Sequence, residues 1–280
     1  MQHVDRRRDE SRLRVVVLAF VLAFGGLVLS QITVIPAMLL DPTLAVSPAD
    51  ASRSALVAMM ALGFFGWFLA GAIYLWRSGL GVSYLDVRSP TLREWGYAVA
   101  GVFAMFGVLL VVNVGATALG VDSGDAEAQV LEIIGDDPTI ALLMIAIVFL
   151  FNAPAEEFLF RNVIQKRLYS VFTKIQAVVV TSLVFAIMHL PTYGLSVDGD
   201  IAPLPSVAVA LVTIFGGSLV FGYIYARTDN IVVPTVAHAF FNAIQFGLVY
   251  LALRYGPEEF GSATSTLVGL LEAAPGAVPV

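Results

Sequence analysis

The chain contains no cysteine, so disulfides and thiolate metal sites are excluded from the outset. Charge is scarce: 13% of the 280 residues are Asp, Glu, Lys or Arg, against about 25% in an average soluble domain. Histidine is scarcer still, with three positions, His3, His189 and His238. No basic stripe with interleaved aromatics is present, which leaves nucleic-acid binding without support. There is no His-Glu-x-x-His motif, no internal repeat and no low-complexity linker. The abundance lies in apolar residues, 59% of the chain, with a mean hydropathy of +0.88. A chain of this composition is built for lipid.

Apolar runs of about 16–26 residues recur, against the ~20 that cross a ~30 Å hydrocarbon core. They cover 15–40, 55–76, 95–119, 139 into the 150s, 175–190, 207–226 and 231–253. The first is too long for the core of a cleavable signal peptide and reads as an uncleaved anchor. The expected fold is an all-α, polytopic helix bundle with about seven transmembrane helices, or eight if the tail also crosses. By domain, residues 1–14 form a basic tail, 15–138 hold three spans with their loops, and 139–253 hold a second helix bundle. Residues 254–280 form a C-terminal tail. A short amphipathic helix is expected around 126–134.

Of the fifteen Lys and Arg residues, thirteen fall at the tail and in loops on the same side as the N-terminus. They are Arg6, Arg7, Arg8, Arg12, Arg14, Arg77, Arg88, Arg93, Arg161, Lys166, Arg167, Lys174 and Arg227, leaving Arg53 and Arg254 opposite. The positive-inside rule then gives a multi-pass cell-membrane protein with a cytoplasmic N-terminus.

Polar groups interrupt these runs at three places. Asn152-Ala153-Pro154-Ala155-Glu156-Glu157-Phe158-Leu159-Phe160-Arg161 ends the fourth run, Phe185 and His189 lie in the fifth, and His238 and Asn242 in the seventh. An ionisable residue at bilayer depth is a functional-site candidate by default, because burying it is expensive. Glu156 and His189 are 33 positions apart, so a hairpin turning at Thr173-Lys174 sets them at equal height. Glu156 lies five residues from Arg161, ~7–8 Å at 1.5 Å per residue, and His238 lies eight residues after Asn230, ~12 Å. The three thus reach similar depth near the cytoplasmic face and can share a cavity. Glu157 and Arg161 are i,i+4 neighbours with the acid first, the better order for an ion pair. Glu156, rotated ~100° from Glu157, is left to face the cavity. Phe185 is one turn from His189 and can wall its ring. Pro191 and the polar stretch 196–200 predict a kinked or broken end to the fifth helix, opening on an aqueous vestibule.

At these residues the chain resembles the CPBP family of intramembrane endopeptidases, which includes the Ras-converting CAAX endopeptidase and the Abi proteins. The family pattern Glu-Glu-x-x-x-Arg, Phe-x-x-x-His, His-x-x-x-Asn/Asp is met here by Glu156-Glu157 with Arg161, Phe185 with His189, and His238 with Asn242. The resemblance implies that Glu156 is the general base activating a water, assisted by His189. It implies that His238 and Asn242 stabilise the oxyanion, with Glu157, Arg161 and Phe185 in support. Hydrolysis of a peptide bond needs such a base, and donors aimed where negative charge develops. The family has been described both as glutamate-dependent and as metal-dependent. A metal, zinc being the candidate, would take Glu156, His189 and His238 as ligands; no cofactor follows from the residues alone. The partners implied are a peptide or membrane-protein substrate and the lipid bilayer. Prenylated C-terminal peptides are one substrate option and bacteriocin-type or other membrane peptides another.

Two readings from other classes compete. Intramembrane Glu, His and Asn also line ion paths in transporters and proton relays, but those predict matching broken helices in two halves. Here the polar residues are concentrated in one half. A catalytically inactive membrane scaffold is the third reading. For single residues, Glu157–Arg161 also fits a purely structural pair, and Asn242 a helix–helix hydrogen bond of ~0.6 kcal/mol.

Overall fold

In hydrocarbon the backbone has no water to bond, so an apolar run must close its own hydrogen bonds, and the helix does so within one segment. The computed structural model describes residues 11–121, 137–194 and 201–255, and their regular structure is entirely helical. Among the described residues seven helices are long and apolar enough to cross a membrane: α1 (Arg12–Leu40), α2 (Arg53–Arg77), α3 (Leu92–Ala118), α4 (Pro138–Leu168), α5 (Lys174–Tyr193), α6 (Leu204–Thr228) and α7 (Val232–Tyr255). This is the multi-pass all-α bundle expected from hydropathy. The expected amphipathic segment at 126–134, the polar stretch 196–200 and any eighth span in the tail lie outside the described residues.

Local chemistry fixes the ends. Ser11 caps α1 by accepting from the Arg14 amide, and α1 bends at Val34, just before Pro36. Thr91 with Glu94 and Thr173 with Gln176 form reciprocal capping boxes at the starts of α3 and α5. The turn between α4 and α5 falls at 169–173, centred slightly before the expected Thr173-Lys174, and Lys174 is already the first helical residue of α5.

Without a hydrophobic force to drive helices together in lipid, close packing of small residues does much of the work. Gly66 of α2 meets the backbone of α1 directly: a Cβ there would lie 2.2 Å from the Ser30 nitrogen. At Gly101 of α3 a Cβ would meet the Ile224 side chain at 2.5 Å and Ala237 at 3.2 Å, so α3 lies against both α6 and α7. Lipid-facing rows such as Val17, Val21, Phe24 and Val28 on α1 stay exposed.

The helix enclosed most completely is α4. Every residue from Leu159 to Gln165 is buried, on all faces, and α1, α2, α5, α6 and α7 all contact it. It is not a regular α-helix. Val148–Asn152 and Phe158–Gln165 form wider π-helical turns on either side of an α-helical turn, Ala153–Glu157. Pro154 offers a reason, since it has no N–H and its ring crowds the preceding carbonyls. Just before it, the Ala153 amide bonds the Val148 carbonyl, five residues back. Such π-turns cluster at functional sites.

At the basic end of the bundle the α2–α3 loop is tied down by polar bonds. Lys166 Nζ donates to Asp86 at 2.7 Å and to the Tyr84 carbonyl at 2.6 Å. The Ile231 amide donates to the Asp86 carbonyl at 2.8 Å, and Asn230 Nδ2 to the Arg88 carbonyl at 3.1 Å. Arg88 pairs with Glu94 and also reaches the Thr228 carbonyl. The hydrogen bond to Glu94 raises the Arg88 pKa further above its ordinary value. Lys174 holds Asp229 at 2.6 Å and the Ala226 carbonyl at 3.0 Å, so α5 and α6 are joined at the same end.

Candidate active site

Four helices contribute. The α-helical turn of α4 presents Glu156 and Glu157 on adjacent faces, 8% and 0% exposed. Glu157 lies one turn from Arg161, and the guanidinium Nε donates to its Oε2 at 2.9 Å. Both side chains are fully buried. Arg161 spends its Nη1 on the Ser218 hydroxyl of α6 at 3.0 Å, and its guanidinium lies 5.3 Å over the Phe185 ring of α5. A buried ion pair persists only when its remaining donors are bonded, and Ser218 supplies that bond.

Glu157 has a second partner. His238 of α7 places Nδ1 3.0 Å from Glu157 Oε1. A carboxylate only accepts, so Nδ1 must carry the proton and Nε2 faces the other way. The ring lies stacked on Phe221 of α6 at 4.8 Å and 17°. Its Nε2 is 4.0 Å from Glu156 Oε2, near but beyond hydrogen-bond length. The other Glu156 oxygen, Oε1, accepts from Asn152 Nδ2 at 2.9 Å. Asn152 Oδ1 in turn accepts from Asn242 Nδ2 at 3.0 Å, across to α7. Glu156, Glu157, His238 and Asn242 are therefore brought into one buried polar cluster, with Arg161 behind it.

His189 stands differently. It is the C-cap just after the regular part of α5 ends at Met188, and the helix breaks there before the short turn Leu190–Tyr193. Its Nδ1 donates back to the Phe185 carbonyl at 2.8 Å, which fixes the tautomer and leaves Nε2 as the free nitrogen. Phe185 packs on the ring at 4.6 Å between centroids. Among the described residues no hydrogen bond or ion pair joins His189 to Glu156. Tyr193, beyond the break, stacks on the His189 ring at 6.4 Å and 27°.

Three participants carry no expectation from sequence. Asn152 stands at the head of the motif stretch, yet its role depends on α7 crossing α4. Ser218 follows Gly216-Gly217, small residues that bring α6 close, and this is the only signal for it in the chain. Tyr193 sits one turn beyond His189, past the proline.

Among the described residues no group of three or more His, Cys, Asp or Glu side chains is placed to hold an ion. His238 donates Nδ1–H to Glu157 and His189 donates Nδ1–H to the Phe185 carbonyl, so Nε2 is the unprotonated nitrogen of each neutral ring.

Fold and site together define a multi-pass membrane protein with a buried acid–histidine–amide centre. Residues 138–244 match the family model described as Type II CAAX prenyl endopeptidase Rce1-like, in agreement with the CPBP resemblance of the three motifs. The matched segment begins with α4 and ends two residues after Asn242, so it contains every residue of the cluster. No curated protein and no solved structure matches the chain.

Proposed function

We propose that the protein is an intramembrane endopeptidase in which Glu156 activates a water and His238 and Asn242 receive the oxyanion. The observation that carries this reading is the division of labour between the two acids. Glu157 is bound on three sides by Arg161 and His238, whereas Glu156 has one oxygen held by Asn152 and the other directed toward His238. A base needs a carboxylate oxygen free to take a proton; a charge stabiliser needs the opposite.

In the first step Glu156 Oε2 takes a proton from water as its oxygen bonds to the scissile carbonyl carbon, and the carbonyl oxygen becomes an anion. His238 shares its Nδ1 proton with Glu157. When Nε2 also carries a proton, its N–H donates to the oxyanion while Nδ1–H stays on Glu157. The second N–H of the Asn242 amide adds another donor. In the second step the tetrahedral intermediate collapses, the C–N bond breaks, and the proton held by Glu156 passes to the leaving amine. His189, with Nε2 free, assists that transfer from the rim of the site.

The substrate is a peptide that approaches within the bilayer. An apolar cleft of about 460 Å³ is lined in part by Phe68, Leu85, Val87, Pro154, Phe158 and Val236, none of them a residue of the polar cluster. Phe158 follows Glu157 directly, and Thr235, also on its wall, is one turn from His238. The CAAX prenyl endopeptidase description of the matching family model favours a peptide with an apolar group near the scissile bond. Glu156→Gln keeps the shape and the bond from Asn152 but removes basicity. Cleavage of a quenched peptide library, with and without prenylated members, should fall by at least ~10²–10⁴-fold while the thermal melt is unchanged. Wild-type cleavage by Glu156→Gln overturns the assignment. Restoration of chelator-treated enzyme by zinc would return these residues to a ligand role.

A further inference from the structure

We infer that Asn152 is a positioning residue that couples the Glu156 carboxylate to the Asn242 amide; this rests on the endopeptidase reading above. Its orientation is dictated by its neighbours. Because a carboxylate can only accept, the Asn152 amide must turn its NH₂ toward Glu156, where the bond is 2.9 Å. Its oxygen then faces α7 and can only accept, which forces Asn242 to turn its own NH₂ inward, at 3.0 Å. The orientation of the Asn242 amide is thus set by the charge on Glu156, two hydrogen bonds away. If Asn152 were apolar, nothing among the described contacts would hold Asn242 with its donor toward the site.

Three features argue against a bond that merely joins helices. Asn152 is 8% exposed in an otherwise apolar run, so both of its bonds are made in a low-dielectric setting where directed hydrogen bonds strengthen one another. It occupies the last position of the first π-turn, one helical turn before Glu156, where a regular α-helix would aim it elsewhere. It also bonds the two groups assigned to opposite ends of the reaction, the base and one oxyanion donor. A relay of this kind keeps the donor aimed while Glu156 is ionised, the state in which attack occurs.

The chain has five asparagines, 113, 152, 162, 230 and 242, so selective ¹⁵N-asparagine labelling resolves each side-chain amide, assigned by single substitutions. In full-length protein in lipid nanodiscs, Glu156→Gln should shift the Asn242 amide resonances when Asn152 is present. It should leave them unmoved in Asn152→Leu and Asn152→Ser backgrounds. Asn242 resonances insensitive to Glu156→Gln with Asn152 intact, or equally sensitive without it, overturn the relay. The kinetic arm uses a single quenched peptide selected from the cleaved library. Asn152→Leu should lower kcat about 10²-fold with KM unchanged, the scale of a misaimed catalytic group; a kcat within twofold of wild type overturns the proposal. If the wild-type protein cleaves no peptide, the endopeptidase reading fails, and the resonance arm still decides whether the relay exists.

Discussion

The Arg161 guanidinium offers the most discriminating test of how the site is held together. Arg161→Met keeps length and apolar volume but removes the charge and three bonds, two to Glu157 and one to Ser218. Glu157 is fully buried, so its carboxylate is then left with His238 as the one donor among the described contacts. Breaking a buried pair from one side costs ~3–5 kcal/mol, because an uncompensated charge remains. The double variant Glu157→Gln with Arg161→Met removes that charge. Its remaining losses are the Ser218 bond and a weaker bond at His238, ~1–3 kcal/mol together. The double variant should therefore be more stable than Arg161→Met alone, with a coupling of at least ~2 kcal/mol across the cycle. Equilibrium unfolding in mixed micelles, read by tryptophan fluorescence, measures all four corners. Were the single substitution to cost under ~1 kcal/mol, the pair would behave as a solvent-exposed one. Additivity of the two singles would equally refute the argument.

Two further outcomes check the frame around the site. Gly66→Ala places a methyl 2.2 Å from the Ser30 backbone nitrogen, and backbone cannot yield as a side chain can, so α1 and α2 must separate. A loss of ~1–3 kcal/mol is expected, whereas Gly107→Ala, with nothing within 4 Å of the added carbon, should be neutral or slightly stabilising in the same unfolding assay. Topology is tested by reporters: one fused after Arg227 should be cytoplasmic and one after Gly120 external. The reverse pattern would undo the assignment of the basic end to the cytoplasm.

The seven helices were legible because hydropathy over about twenty residues needs no knowledge of tertiary structure. Their ends were less so. α1 begins at Arg12, inside the basic tail, because long Arg side chains reach toward the interface from within a helix. The Glu157–Arg161 pair followed from i,i+4 spacing, and the structure has it. That Glu157 also holds His238 did not follow, since the contact depends on where α7 crosses α4. Equal height for Glu156 and His189 came from counting along the hairpin. Counting says nothing of direction, and the His189 ring, at the break of α5, turns back onto its own helix. Asn152 was visible in the motif stretch, but an asparagine in an apolar run announces only that some partner exists.

The π-turns of α4 have a consequence for how such a helix tolerates change. They set the angular phase between the half of α4 that starts at Pro138 and the turn that carries both acids. Deleting one residue within 148–152 would shift Glu156 along the axis by only ~1.5 Å but swing it by ~100°. Length, hydropathy and the number of crossings would hardly change, yet both carboxylates would point at different neighbours. A hydropathy profile is blind to that rotation, so insertions and deletions in this one turn are a hidden route by which a chain of this architecture would lose its chemistry and keep its fold.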